Sequence, residues 1–312
     1  MFKKLNTKTL LALFGVLLVL VVILQLVKNH SGEGNFRSKI IETDTADITK
    51  ITILPKKAND KVVLTKTGNS WDVVSQGKTY KADQNMIKNI LGEIAKLQAE
   101  RIAANDKSEW EKYQVSDTAA LHVSIDSKGK SAENVIIGKF SYQQNPQKFT
   151  TYVRLVGEKE VYAVNGFLSM TFNRSANDFR DKTLVNVRPE SITDITFTYP
   201  ADSSFTLKQS GSKWMINNQP ADSAKVAEFK NSISHLTGYY IADDDDKMGP
   251  EVFSVKLGLN NLPPVEVKAL ASDSIVKYIL TSNSSDVHIE GPKSGLMQRV
   301  FPGPSHFMKM KK

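Results

Sequence analysis

The strongest constraint on the fold is that the chain repeats itself. Ile48-Thr49-Lys50-Ile51-Thr52-Ile53 returns as Ile192-Thr193-Asp194-Ile195-Thr196-Phe197, 144 positions on. Leu64, Gly68 and Trp71 return as Leu207, Gly211 and Trp214, 143 positions on. Ala82-Asp83 returns as Ala221-Asp222, each ahead of a helical pattern, and Leu97 and Ile102 return as Leu236 and Ile241, all 139 positions on. Beyond them Tyr113-Gln114-Val115 aligns with Leu257-Gly258-Leu259, and Leu121-His122-Val123 with Val265-Glu266-Val267, at 144 again. Matches in one order predict two copies of one unit, over 39–174 and 183–302, with a connector over 175–182 and a basic tail over 303–312.

Each copy reads as strands in runs around one helix. Alternating segments at Ile48 to Ile53, Val62 to Lys66 and Trp71 to Val74 suit a sheet with one buried face. Gly68-Asn69 and Ser210-Gly211 are hairpin chemistry between neighbouring strands. Asp83 and Asp222 are N-caps. Behind them Met86, Ile87, Ile90, Leu91, Ile94 and Leu97, and in the second copy Val226, Phe229, Ile233 and Leu236, recur at helical spacing. Further strands are expected at Ala120 to Ile125, Asn134 to Ile137, Thr150 to Leu155 and Glu160 to Val164. The fold class is therefore α+β, each unit a mainly antiparallel sheet covered by a helix.

Ahead of the units, Leu10 to Val27 is apolar apart from Gln25, with Leu17 near its middle. Eighteen residues at about 1.5 Å each span roughly 27 Å, enough for a bilayer core. A secretory leader has a shorter apolar region and a small-residue cleavage site. This run ends in Leu26-Val27-Lys28, so an uncleaved transmembrane helix over 10–27 is expected, with the bilayer as its partner. Lys3, Lys4 and Lys8 precede it while Lys28, Arg37 and Lys39 follow, a tie under the positive-inside rule. The short tail, 1–9, favours a cytoplasmic N terminus, and residues 28–38 read as a flexible stalk.

The motifs Tyr113-Gln114-Val115, Ile137-Gly138, Tyr152-Val153-Arg154, Val161-Tyr162-Ala163-Val164 and Arg180-Asp181-Lys182-Thr183-Leu184 follow one another in that order. In this the chain resembles the bacterial domain-of-unknown-function family 4340, over residues 40–300. The family's first motif is Tyr-Gly-Leu-x-x-Pro; here Gln114 replaces the glycine and Ala119 stands near the proline, while Gly258 and Pro263 are kept in the second copy. The resemblance implies a single-pass inner-membrane protein with its bulk in the periplasm. It also implies an auxiliary role beside ABC-type transport systems, including gliding-motility components, with envelope or transporter proteins as partners. No catalytic residues carry over.

The residues themselves offer no assembled chemistry. The chain has no cysteine, so disulfides, thiolate metal sites and a cysteine nucleophile are excluded. His30, His122, His235, His288 and His306 have no metal-ligand spacing. Gly77-Lys78-Thr79 and Gly129-Lys130-Ser131 end like P-loops but lack the leading glycine, Asp72 and Ser124 standing there. Asp243, Asp244, Asp245 and Asp246 offer clustered carboxylates for calcium, against a solvated loop as the simpler reading. Arg180 and Asp181 are expected either to fix how the copies meet or to form a surface turn. The net charge of +8 is spread along the chain, which points away from nucleic acid. The expectation is a non-enzymatic accessory protein without cofactor or metal. The alternative is a module that captures a glycan, lipid or peptide in the cleft between the units.

Overall fold

The computed structural model describes residues 14–19, 21, 37–56, 61–118, 120–130, 132–242, 247–272 and 277–309. Residues 14–19 and 21 are helical, and the Phe14, Val16 and Leu17 side chains are exposed. Leu10 and Val27 lie outside the described residues, and among those described no helix is long and apolar enough to cross a membrane. The chain divides at Phe179/Arg180 into two units, both α+β and rich in antiparallel sheet.

The first unit contains β1 (Ile48–Leu54), β2 (Val62–Thr67), β3 (Ser70–Ser75), β4 (Lys78–Lys81), α1 (Gln84–Ala95), β5 (Ala99–Ala104) and α2 (Trp110–Tyr113). It continues with β6 (Leu121–Ser127), β7 (Glu133–Gln143), β8 (Lys148–Leu155), β9 (Val161–Asn165), α3 (Leu168–Phe172) and α4 (Ala176–Phe179). The sheet order is β4-β3-β2-β1-β6-β7-β8-β9-β5, each neighbouring pair antiparallel. Alternate residues of these strands, Ile51, Ile53, Leu64, Trp71, Val123 and Val153 among them, point to one face. There they bury against Ile87, Ile90 and Ile94 of α1. Asp83 caps the helix through Asn85 N–H at 2.8 Å and Met86 N–H at 3.1 Å.

The second unit contains β10 (Thr183–Asn186), β11 (Ile192–Thr198), β12 (Phe205–Ser210), β13 (Lys213–Ile216), β14 (Gln219–Pro220), α5 (Ser223–Ser234) and β15 (His235–Thr237). After these come β16 (Met248–Leu259), β17 (Leu262–Ser272), β18 (Tyr278–Ser282), β19 (Ser285–Glu290) and α6 (Met297–Val300). Its sheet runs β14-β13-β12-β11-β16-β17-β18-β19, the order of the first. Details repeat as well. The β1–β6 register shifts between Ile48 and Lys50, and β11–β16 between Ile192 and Asp194. Asp83 N–H donates to Phe179 O at 2.8 Å, and Asp222 N–H to Phe307 O at 2.8 Å. Lys39 bridges Gln98 much as β10 pairs with β15, and Ile102 and Ile241 both pair with the last strand of their sheet.

Two expectations need correction. Ile53 pairs with Val123, and Phe197 with Val255, so β6 corresponds to β16 at a spacing of 132. Tyr113 therefore does not match Leu257: Tyr113 closes α2, whereas Leu257 lies inside a strand beside Ile195. Likewise Leu121 corresponds to Phe253, and Val265 belongs to the next strand. Repeated hydrophobic alternation let the sequences slide by a whole strand. Second, the basic tail expected as a separate segment over 303–312 begins as part of the second unit. Pro304–Phe307 form a 3₁₀ turn, and Phe307 is fully buried among Phe197, Phe205 and Phe229.

Candidate functional site

The motif residues of the first unit converge on the sheet face opposite α1. There Val115, Ala120, Ile136 and Val161 form a small second core, flanked by Trp110, Tyr113 and Tyr152. At its centre lies Arg154, whose side chain is 2% exposed. Its Nε donates to Val115 O at 3.1 Å, and its Nη1 to Leu155 O at 3.4 Å and Glu158 O at 3.3 Å. Nη2 pairs with the Asp117 carboxylate, and the guanidinium lies 3.7 Å from the Trp110 ring centre. A planar fork that meets carbonyls, a carboxylate and an aromatic face together is chemistry that lysine cannot reproduce.

The other motif residues hold the same loops. A Cβ at Gly138 would collide with the Tyr113 and Gln114 carbonyl oxygens and a Val115 methyl, so only glycine admits the segment after α2 this close. Tyr113 and Tyr152 pack at a tilt of 49° with ring centres 4.6 Å apart, and the Trp110 indole N–H donates to Lys159 O at 3.0 Å. Tyr162 donates to Glu158 Oε2 at 3.0 Å. Burial, then the Glu158 carboxylate, push the Tyr162 hydroxyl up to about 12. At the rim the Lys56 ammonium donates to Gln114 Oε1 at 3.2 Å, and burial lowers its pKa.

This cluster joins four of the five motifs in one place. A family model, Domain of unknown function (DUF4340), matches residues 71–252, more than half of the chain. The chain belongs to that family. Neither the curated proteins nor the solved structures give a match. The DUF4340 match begins at Trp71 in β3 and ends inside β16, so it takes in all of the Arg154 cluster.

The fifth motif lies elsewhere. Arg180 is buried, and the Asp181 carboxylate accepts from Thr183 N–H at 2.9 Å, closing the turn into β10. Asp243 to Asp246 lie outside the described residues. Among those described, no three His, Cys, Asp or Glu side chains gather as a metal site. His122 contacts Asp117 O at 2.8 Å in the turn before β6, and His235 contacts Asn186 Oδ1 at 2.9 Å across the β10–β15 pair.

Sequence reasoning missed a second feature of the first unit. Phe140, Tyr142, Phe149 and Phe167 form a contiguous set of rings, with Phe149 and Phe167 centres 4.4 Å apart and Tyr142 5.2 Å from Phe149. Tyr142 is 51% exposed, Phe167 40% and the neighbouring Met170 64%. The available signal was Phe140, Tyr142 and Phe149 flanking the Gln143 to Lys148 turn, which alternation alone assigns to an ordinary hairpin.

Proposed function

We propose that the chain is a membrane-anchored accessory protein of the bacterial envelope. Residues 10–27 hold it in the inner membrane, and both units lie on the periplasmic side. It serves an ABC-type transport or gliding-related assembly by protein contacts and transforms no substrate. The apolar run from Leu10 to Val27 supports the anchor. What carries the reading is the use made of the motif residues. Arg154, Tyr113 and Gly138 face inward and are occupied in holding backbone segments together, while Tyr142 and Phe167 of the same unit are exposed.

The test uses the full-length chain, crosslinked in intact cells and purified in mild detergent. ATPase or permease subunits are expected to co-purify in fixed ratio, and externally added protease is expected to reach both units once the outer membrane is permeabilised. A chain that purifies alone, with its units protected, overturns the reading.

A further inference from the structure

Among the described residues, one sheet edge is covered by a strand in the second unit and by none in the first. In the second unit β16 pairs with β17 along its whole length, from Leu259 opposite Leu262 back to Met248 opposite Ser272. In the first, β6 starts at Leu121, the counterpart of Phe253, and pairs with β7 only between Glu133 and Ile137. β7 nevertheless runs on to Gln143. The stretch that would have covered it leads instead from α2 through a turn at Asp117-Thr118.

The direction of the peptide groups follows from the neighbouring strand. Gly166 N–H donates to Phe149 O, so the Phe149 peptide groups face β9. Tyr142 stands opposite Phe149 and must turn its own N–H and C=O away from β8, as must Phe140 two residues earlier. The register with β8 shifts between Ile137 and Phe140, and there Gly138 O accepts from the Ser169 hydroxyl at 2.9 Å. Beyond it, among the described residues, no strand pairs with this edge.

The second unit shows what such an edge takes. Its covering stretch, Met248 to Val252, is an antiparallel strand that runs into Phe253, an aromatic where the first unit has Leu121. Phe253 sits 5.6 Å, centre to centre, from each of Tyr199, Tyr278 and Phe301. In the first unit the rings beside that edge are already in place, and among the described residues no strand covers it.

We propose that the β7 edge over Lys139–Gln143 receives an extended segment of a partner protein as an added antiparallel strand. One apolar or aromatic side chain of that segment packs against Phe140, Tyr142, Phe149 and Phe167. Backbone pairing supplies affinity and the ring set supplies selectivity. The inference rests on the accessory reading above and names where that partner docks.

The probe is a labelled peptide with the sequence of residues 247–255, titrated into the full-length chain in nanodiscs. Saturable one-to-one binding is expected. Tyr142→Pro removes an outward N–H, which makes no bond to β8, together with one ring of the receiving set, and is expected to weaken binding tenfold or more, about the worth of one backbone hydrogen bond plus a ring contact. Peptides N-methylated at one alternate set of nitrogens are expected to lose binding while the other set retains it, a readout independent of any variant's folding. Equal binding by both methylated sets overturns strand addition, as does failure of the peptide to bind. Self-association abolished by Tyr142→Pro would assign the edge to a second copy of this chain and overturn a separate partner. Binding to zwitterionic vesicles abolished by Phe167→Ser, in place of peptide binding, would overturn it in favour of lipid. If the peptide fails while transporter subunits still co-purify, the edge site falls and the accessory role stands.

Discussion

On the sheet face away from its helix, the first unit buries Ile136 and the Arg154 guanidinium, whereas the second carries a partly exposed lysine and a threonine at the same places. Register equates Ile136 with Lys268 and Arg154 with Thr281. Lys268 lies 2.8 Å from Glu251 and 3.7 Å from Glu266, all partly exposed. Exposed pairs of that kind contribute about 0–1 kcal/mol each. A desolvated guanidinium that binds three carbonyls and a carboxylate is a far larger commitment, because removing it strands the buried Val115 carbonyl. One strand order thus supports a solvated back face and a buried one. The difference lies in the segment between β5 and β6, which crosses the first sheet as α2.

Arg154→Ala is expected to break this contrast most severely. It takes the guanidinium donor from the Val115 and Glu158 carbonyls and opens a cavity under Trp110, at a cost of about 3 kcal/mol or more. Hydrogen exchange over the full-length chain should show faster exchange throughout β7, β8 and α2 and none of this in β16–β18. Equal acceleration in both units would show that the two cores do not behave separately. Thr281→Ala, at the matching position, is expected to stay within about 0.5 kcal/mol of the parent.

A glycine pair sharpens the same point. Gly138→Ala drives a methyl into the Tyr113 and Gln114 backbone, which cannot rotate away, and is expected to cost about 2 kcal/mol. Gly258→Ala meets the Asp194 carboxylate, the far end of a side chain that can turn aside, and is expected to cost under about 1 kcal/mol. Thermal melting of the two variants should rank them in that order; the reverse ranking would mean that the loop after α2 is easily displaced.

What the sequence made legible follows from which forces are local. The caps Asp83 and Asp222, the helical stripes and the hairpin turn glycines at Gly68 and Gly211 are written within a few residues of one another, and each appears where the pattern puts it. The doubled strand order was equally readable from its opening pairs. The alignment of β6 with its counterpart was not, because every strand of a one-sided sheet alternates alike and neighbouring strands can be exchanged without loss of pattern. Arg154 was visible only as a motif letter. Its partners come from positions 110, 115, 117 and 158, and nothing in local spacing joins them. One clue was present: Val161 to Val164 is uninterrupted in apolar character, which marks burial on both faces, whereas Ser285 to Glu290 alternates.

The helix caps test where the units are alike. Asp83→Ala and Asp222→Ala each remove a carboxylate that accepts from two first-turn N–H groups, and each is expected to cost about 1 kcal/mol. Unequal losses, read by chemical denaturation, would show that one helix owes its start to something besides its cap.

The smallest effect separates the units by pH. Burial pushes the Glu133 carboxyl upward, but the Glu42 N–H at 2.8 Å, the Thr43 hydroxyl, the Thr43 N–H at 3.2 Å and the Lys130 charge together outweigh it and hold its pKa below the ordinary 4.5. A carboxylate with a lowered folded pKa binds fewer protons folded than unfolded. Its contribution is therefore complete above pH 4.5 and is lost as the pH falls through the lower folded value. Register places Val265 at the matching position of the second unit, which has no such switch. Glu133→Gln should flatten the acid-side loss of protection around Glu42, Thr43 and β7 and leave β16–β17 unchanged. If the slope persists in that variant, the pull of these neighbours on Glu133 does not stabilise the fold, and the acid sensitivity of the first unit must arise from another carboxylate.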